Sequence, residues 1–188
     1  PNLVSAVALA TMWLQYVYSS KFGLLKSILD AVGMHKLAET AWLDTDHKFG
    51  ALLFAYCFGM IGYHMLIWMS GIERISPELY EAATIDGANK VQQFGKITMP
   101  LLKGITKTNI TFWSVHTTTF FLWSKMFSPV DTEASTIVPV VYLYDTVFGG
   151  KGNANRDAGA GAAVGVVLAL IIVVVYFVMN RLLKDDDL

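Results

Sequence analysis

ELYEAATIDGANKVQQFGKITMP, residues 78–100, is a polar, helix-capable stretch set between two of the most apolar runs in the chain. Ser76 can cap a helix, Pro77 suits its first position, and Glu78 complements the positive end of the helix dipole. The pattern predicts a short helix through Ala83 and a turn at Gly87, where a side chain would resist the backbone. A second amphipathic helix is expected from Ala88 to about Thr98, closed by Pro100. The result is a helix–turn–helix outside the lipid. Ala82, Ala83 and Ala88 form a small face that permits close approach, with Glu81 and Asp86 beside it. The residues alone leave two readings open, a surface connector and a docking element.

The flanks define the class. Of 188 residues, 54% are hydrophobic and 15% charged, where a soluble domain carries about 25%. Mean hydropathy is +0.48, as in a membrane protein. The net charge of −1 offers no basic field to nucleic acid. The single cysteine, Cys57, excludes an intrachain disulfide and reads as a small buried hydrophobe.

Four runs approach the roughly 20 apolar residues that a bilayer crossing needs: 1–20, 49–70, 105–126 and 158–180. The last is rich in β-branched residues that would suit a strand in water, but in lipid the backbone must satisfy itself and a helix results. The expected fold is all-α and polytopic, about four transmembrane helices plus the helix–turn–helix within loop 71–104. The run STIVPVVYLYDTVF, 135–148, is too short to span and reads as an interfacial or re-entrant helix ending at Gly149–Gly150. Basic residues are too evenly shared between loops 21–48 and 71–104 to orient the chain. Residue 1 is Pro and no basic segment precedes the first apolar run, so that run is not a signal peptide. The chain is expected to begin part-way through a longer protein.

Glu81-Ala82-Ala83, three residues, Gly87, nine residues, then Ile97-x-Met99-Pro100 resembles the EAA loop of ABC importer permeases, with Met99 where Leu is usual. Tyr80 and Ile85-Asp86-Gly87-Ala88 are similar to the carbohydrate group related to the maltose transporter. Gly23-Leu24-Leu25 with Leu29 resembles that group's G-x-x-N-x-x-L, although Lys26 stands at the Asn position. Trp42-Leu43 resembles its W-L element, and Thr136 to Phe148 its T-x5-Y-x-Y-x3-F segment; the preceding Gly-Gly-Pro is replaced by Ser128-Pro129-Val130-Asp131.

The resemblance implies a bacterial inner-membrane, multi-pass permease of about six core spans, of which this chain holds the last four. It places loop 71–104 in the cytoplasm, where Glu81, Ala82, Ala83, Asp86, Gly87 and Pro100 couple to a separate ATPase. The implied partners are ABC ATPase subunits, a second permease subunit, an extracytoplasmic solute-binding protein, the lipid bilayer and a small-molecule solute. No G-x-x-x-x-G-K-[ST] occurs, so no cofactor is expected in this chain; ATP and Mg²⁺ belong to the partner. The chain is not expected to be an enzyme.

The third apolar run carries Asn109, Trp113, His116, Phe120 and Trp123 at helical spacing, one stripe of amide, imidazole and aromatic groups. Polar groups in lipid usually face an interior or a wet path, so this stripe is a candidate solute path. Tyr63, His64 and Trp68 of the second run are further candidates. The alternative is helix-on-helix packing, with hydroxyls bonded to their own backbone. His64 and His116 lack a third metal ligand, and no metal site is expected. Ala158, Ala162, Gly161 and Gly165 have small-xxx-small spacing that suits a partner permease. Asp185 to Asp187 reads as a solvated tail. The reading is a sugar or polyol importer subunit. The alternatives are a permease for an amino acid or polyamine, a membrane assembly protein whose loop binds a partner, and a secondary transporter, for which buried carboxylates are missing.

Overall fold

The computed structural model describes residues 1, 3–129, 133–150 and 156–183. The tail Asp185–Asp187, Val130-Asp131 and residues 151–155 lie outside them. The elements are helices: α1 (Ala6–Met12), prolonged by a widened π turn at Trp13–Val17; α2 (Leu24–Ala31); α3 (His35–Ala38); α4 (Lys48–Ile72); α5 (Pro77–Ile85); α6 (Lys90–Gln93), followed by a π turn at Phe94–Thr98; α7 (Met99–Leu101); α8 (Lys103–Thr118); α9 (Phe121–Phe127); α10 (Pro139–Phe148); and α11 (Ala158–Leu182).

Among the described residues, α4 and α11 are long and apolar enough to cross a membrane, at 25 residues each. At 1.5 Å per residue each exceeds a hydrocarbon core of about 30 Å. Along α11, Val166, Val167, Leu170, Ile171, Val174 and Phe177 are all exposed, which water would penalise and lipid would not. Ala6–Val17 is a shorter apolar helix. The apolar run 105–126 is not one continuous helix: α8 stops at Thr118 and α9 starts at Phe121, with Phe120 off helical geometry at φ −79°, ψ 47°. The break follows three consecutive threonines. The Thr117 hydroxyl donates to the carbonyls of Trp113 and Ser114, and such back-bonding competes with a regular helix.

The chain divides into two compact units, Pro1–Gly62 with Thr118–Leu168, and Tyr63–Thr117 with Ala169–Leu188. In the first, Leu52, Ala55 and Tyr56 of α4 are buried together with Trp13, Trp123, Phe127 and Val141. Tyr18 donates its hydroxyl to the carbonyl of Ala51 at 3.0 Å, tying the end of the first helix to α4. At Gly23 the chain turns so tightly that a Cβ would meet the carbonyl of Val17 at 2.7 Å. The segment before α10 is held by polar bonds. Ser124 donates to the Thr136 carbonyl at 2.5 Å, and the Ser128 and Thr136 hydroxyls pair at 2.8 Å. Two ion pairs accompany them, Lys48–Glu133 at 2.5 Å and Lys125–Asp145 at 2.9 Å. Gly161 packs closely on its own chain: a Cβ there would overlap Val147 of α10.

In the second unit, Gly71 lets the end of α4 approach the start of α8. A Cβ at Gly71 would meet Ile105 at 2.7 Å and the buried Leu102 at 2.9 Å. The segment between these helices carries the helix–turn–helix.

Candidate functional site

The elbow is built from local rules. Ser76 stands at the N-cap of α5 without a side-chain capping bond, and Pro77 opens the helix. At the other end the Gly87 amide donates to the Thr84 carbonyl at 3.1 Å and the Ala88 amide to the Ala83 carbonyl at 2.8 Å. These are the paired bonds of a helix terminus that needs a left-handed residue. Gly87 supplies it with φ +81°.

The second helix starts at Lys90, two residues later than expected, with Asn89 as its N-cap. Asn89 Oδ1 accepts from the Gln92 amide, and Gln92 Oε1 accepts from the Asn89 amide, both at 2.9 Å. This capping box is legible as Asn-x-x-Gln. The π turn at Phe94–Thr98 lies just before Pro100. Pro100 lacks an N–H, and in a regular helix its ring would meet the Lys96 carbonyl; the widened turn relieves that clash.

Polar bonds close the elbow across the two helices. Gln93, 3% exposed, donates from Nε2 to Thr84 Oγ1 at 2.8 Å and to the Ala88 carbonyl at 3.1 Å. The Tyr80 and Thr98 hydroxyls pair at 2.8 Å. Composition did not single out Gln93. Its buried amide is visible only once Gly87 has folded the two helices together. Ala83 and Ala88 are half-buried at the joint, while Glu81, Ala82, Asp86, Gly87 and Pro100 are exposed. Ile85 and Val91 stand out at 87% and 80% exposed. The elbow thus exposes two carboxylates and two large aliphatic side chains.

The second place is an aromatic and imidazole cluster where α4 meets α8. Tyr63 and His64 of α4 come together with Asn109, Trp113 and His116 of α8. Ring centroids lie 4.8 Å apart for His64 and Trp113, 5.6 Å for His64 and His116, and 5.1 Å for Tyr63 and His116. Asn109 is buried, 5% exposed, and bonded to His64 through both ends of its amide. Trp123 and Phe120 do not extend this stripe, because the helix breaks before them. They belong to the first unit, where Trp123 is 4% exposed and both rings lie against Tyr56. The hydroxyls of Thr106, Thr108, Thr111, Ser114 and Thr117 each donate to the backbone carbonyl four residues earlier. Among the described residues, no group of three His, Cys, Asp or Glu side chains could hold a metal ion.

The sequence profile of the family described as "Binding-protein-dependent transport system inner membrane component" matches residues 1–185. This chain belongs to that family. The chain is similar to a probable ABC transporter permease protein, YurN, of Bacillus subtilis, 36% identical over 104 residues, which are 55% of this chain and 35% of the relative. It is also similar to the diacetylchitobiose uptake system permease protein NgcF of Streptomyces coelicolor, 28% identical over 150 residues, 79% of this chain and 42% of the relative. The chain thus spans less than half the length of these two relatives. Its fold matches that of a bacterial ABC transporter involved in the import of the acidic polysaccharide alginate. The TM-score is 0.77 over 100% of this chain and 63% of that one, at 18% identity. The all-helical permease fold expected from the sequence is the fold observed.

Proposed function

We propose that this chain is part of the multi-pass, membrane-embedded subunit of an ATP-driven importer in a bacterial inner membrane, and that its solute is a sugar or polyol. The observation that carries the reading is the elbow at residues 76–100. Its backbone is fixed by Gly87 and its two helices are pinned by Gln93 and by the Tyr80–Thr98 pair, so it moves as one rigid piece. A rigid piece joined directly to α4 and α8 passes force into them without absorbing it.

The elbow takes up force from a separate ATPase subunit that binds ATP and Mg²⁺. Ile85 and Val91 enter an apolar cleft on that subunit, and Glu81 and Asp86 meet basic residues at its rim. A second permease subunit completes the path, and an extracytoplasmic binding protein delivers the solute, as the family description supports. The path runs past Tyr63, His64, Trp113 and His116. Aromatic faces pack against the C–H faces of a sugar, and an imidazole bonds to its hydroxyls. The diacetylchitobiose uptake role in the name of one relative agrees with that chemistry.

The test uses the full-length permease, assembled with its ATPase and binding protein in vesicles. Glu81→Lys reverses a charge on the docking face without touching the pins of the elbow. Insertion and assembly of the permease are expected to persist while ATP-dependent uptake is lost. Normal uptake by this variant would refute the docking role.

A further inference from the structure

We propose that Asn109 is a positioning residue that does not touch the solute. It holds His64 in one tautomer, so that the buried Nε2 of His64 keeps a lone pair for a solute hydroxyl when the path opens. The inference rests on reading the α4–α8 cluster as the solute path.

Asn109 Nδ2 donates to the backbone carbonyl of His64 at 3.1 Å. That bond fixes which way the amide faces, because the reversed amide would set its oxygen against the same carbonyl, two acceptors with no proton between them. Asn109 Oδ1 is therefore the atom that meets His64 Nδ1. A carbonyl oxygen only accepts, so Nδ1 carries the proton. A neutral imidazole has one N–H, and Nε2 is left with a lone pair. Nε2 is buried and has no hydrogen-bond partner among the described residues. Most buried polar side-chain atoms have one, and a buried acceptor without one carries a cost that a bound donor removes.

The surroundings select the donor. Trp113 lies 4.8 Å from the His64 ring and Tyr63 5.3 Å, both near edge-on. A solute that packs C–H groups on such rings and gives one hydroxyl proton to Nε2 is a sugar or polyol. An analogue lacking that hydroxyl leaves the acceptor empty and is disfavoured. Asn109 is 5% exposed and each end of its amide bonds to His64, so it acts on the solute through the imidazole.

Histidine ¹⁵N resonances of the full-length permease, assembled with its partners in nanodiscs, test the lock without any solute. His64 should carry its proton on Nδ1. A proton on Nε2, or on both nitrogens, overturns the proposal. Asn109→Leu should release His64 to a mixture of tautomers. It should raise the maltose or diacetylchitobiose concentration that half-stimulates ATP hydrolysis about tenfold, the size of one lost hydrogen bond, with the maximal rate kept. A lower maximal rate with unchanged half-saturation marks Asn109 as merely structural and overturns its role. His64→Gln brings an amide oxygen to the reach of Nε2 and should stay within about threefold of the parent if a neutral acceptor is all that is used. A loss of tenfold or more overturns the acceptor assignment. Where a sugar stimulates hydrolysis but leaves the His64 Nε2 resonance unmoved, the acceptor role falls and the transport reading stands. Where no sugar stimulates, the sugar reading falls and takes the solute contact with it, while the resonances still decide the lock.

Discussion

Gly87 offers a way to separate backbone conformation from steric fit at the elbow. Its φ is +81°, and no heavy atom lies within 4 Å of the place a Cβ would occupy. A substitution therefore meets nothing within the chain, and its cost comes from the left-handed backbone alone. For alanine that cost is about 1–2 kcal/mol. For valine it rises to about 3 kcal/mol, because a branched Cβ crowds the same conformation further. Asparagine is larger than alanine but tolerates this region, so Gly87→Asn should cost less than Gly87→Ala. Converted at 1.4 kcal/mol per tenfold, alanine lowers the population of the folded elbow about 5- to 30-fold relative to alternatives and valine over a hundredfold. The assay is uptake per ATP hydrolysed in vesicles holding the full-length assembled complex. Coupling should fall in the order Gly, Asn, Ala, Val. If Asn is worse than Ala, so that loss tracks side-chain size, then Gly87 matters because a partner surface presses on it. The conformational reasoning would then be wrong.

Further outcomes follow from the same contacts. Gln93→Leu removes the two bonds from Nε2 and the one Oε1 accepts from Lys90, and leaves the Ala88 carbonyl without that donor, at a cost of about 2 kcal/mol. Hydrogen exchange at the amides of residues 87–93 should speed up about 30-fold, with the α4 amides unchanged. Glu133→Gln strips the countercharge from Lys48, whose side chain is 13% exposed. Glu133 is itself 37% exposed, so the loss should be about 1 kcal/mol, and adding Lys48→Met should restore much of that, measured as heat inactivation of the complex. Gly161→Val drives a side chain into Val147 and should cost about 1–3 kcal/mol through forced separation of α10 and α11. Distance measurements between spin labels on these two helices should lengthen; an unchanged distance would show that Gly161 needs no close approach.

Much of the elbow could be read residue by residue. Pro77 at a helix start, Gly87 at a left-handed stop and Pro100 near the next helix each act within one or two turns of chain, so their effect is present in the local sequence. The Asn89–Gln92 box had the same local signature. The α8–α9 break was less legible. Hydropathy averages over a window, and residues 105–126 pass as one span although a threonine hydroxyl takes backbone carbonyls near its middle.

The amino-acid order alone determined that long stretches must leave water, that they must be helical to satisfy their backbone in lipid, and where the polar elbow interrupts them. Only the tertiary structure decided which polar groups meet. Gln93 with Thr84, Lys48 with Glu133 and Asn109 with His64 are 9, 85 and 45 positions apart. Helical periodicity says which face a residue is on but not which neighbour that face receives. The tertiary structure also separated Trp123 from the stripe to which its spacing had assigned it. The physical reason is range: capping, turn strain and apolar burial act within a few residues or on the whole chain at once, while a hydrogen bond needs two atoms within about 3 Å, and only packing brings distant ones that close.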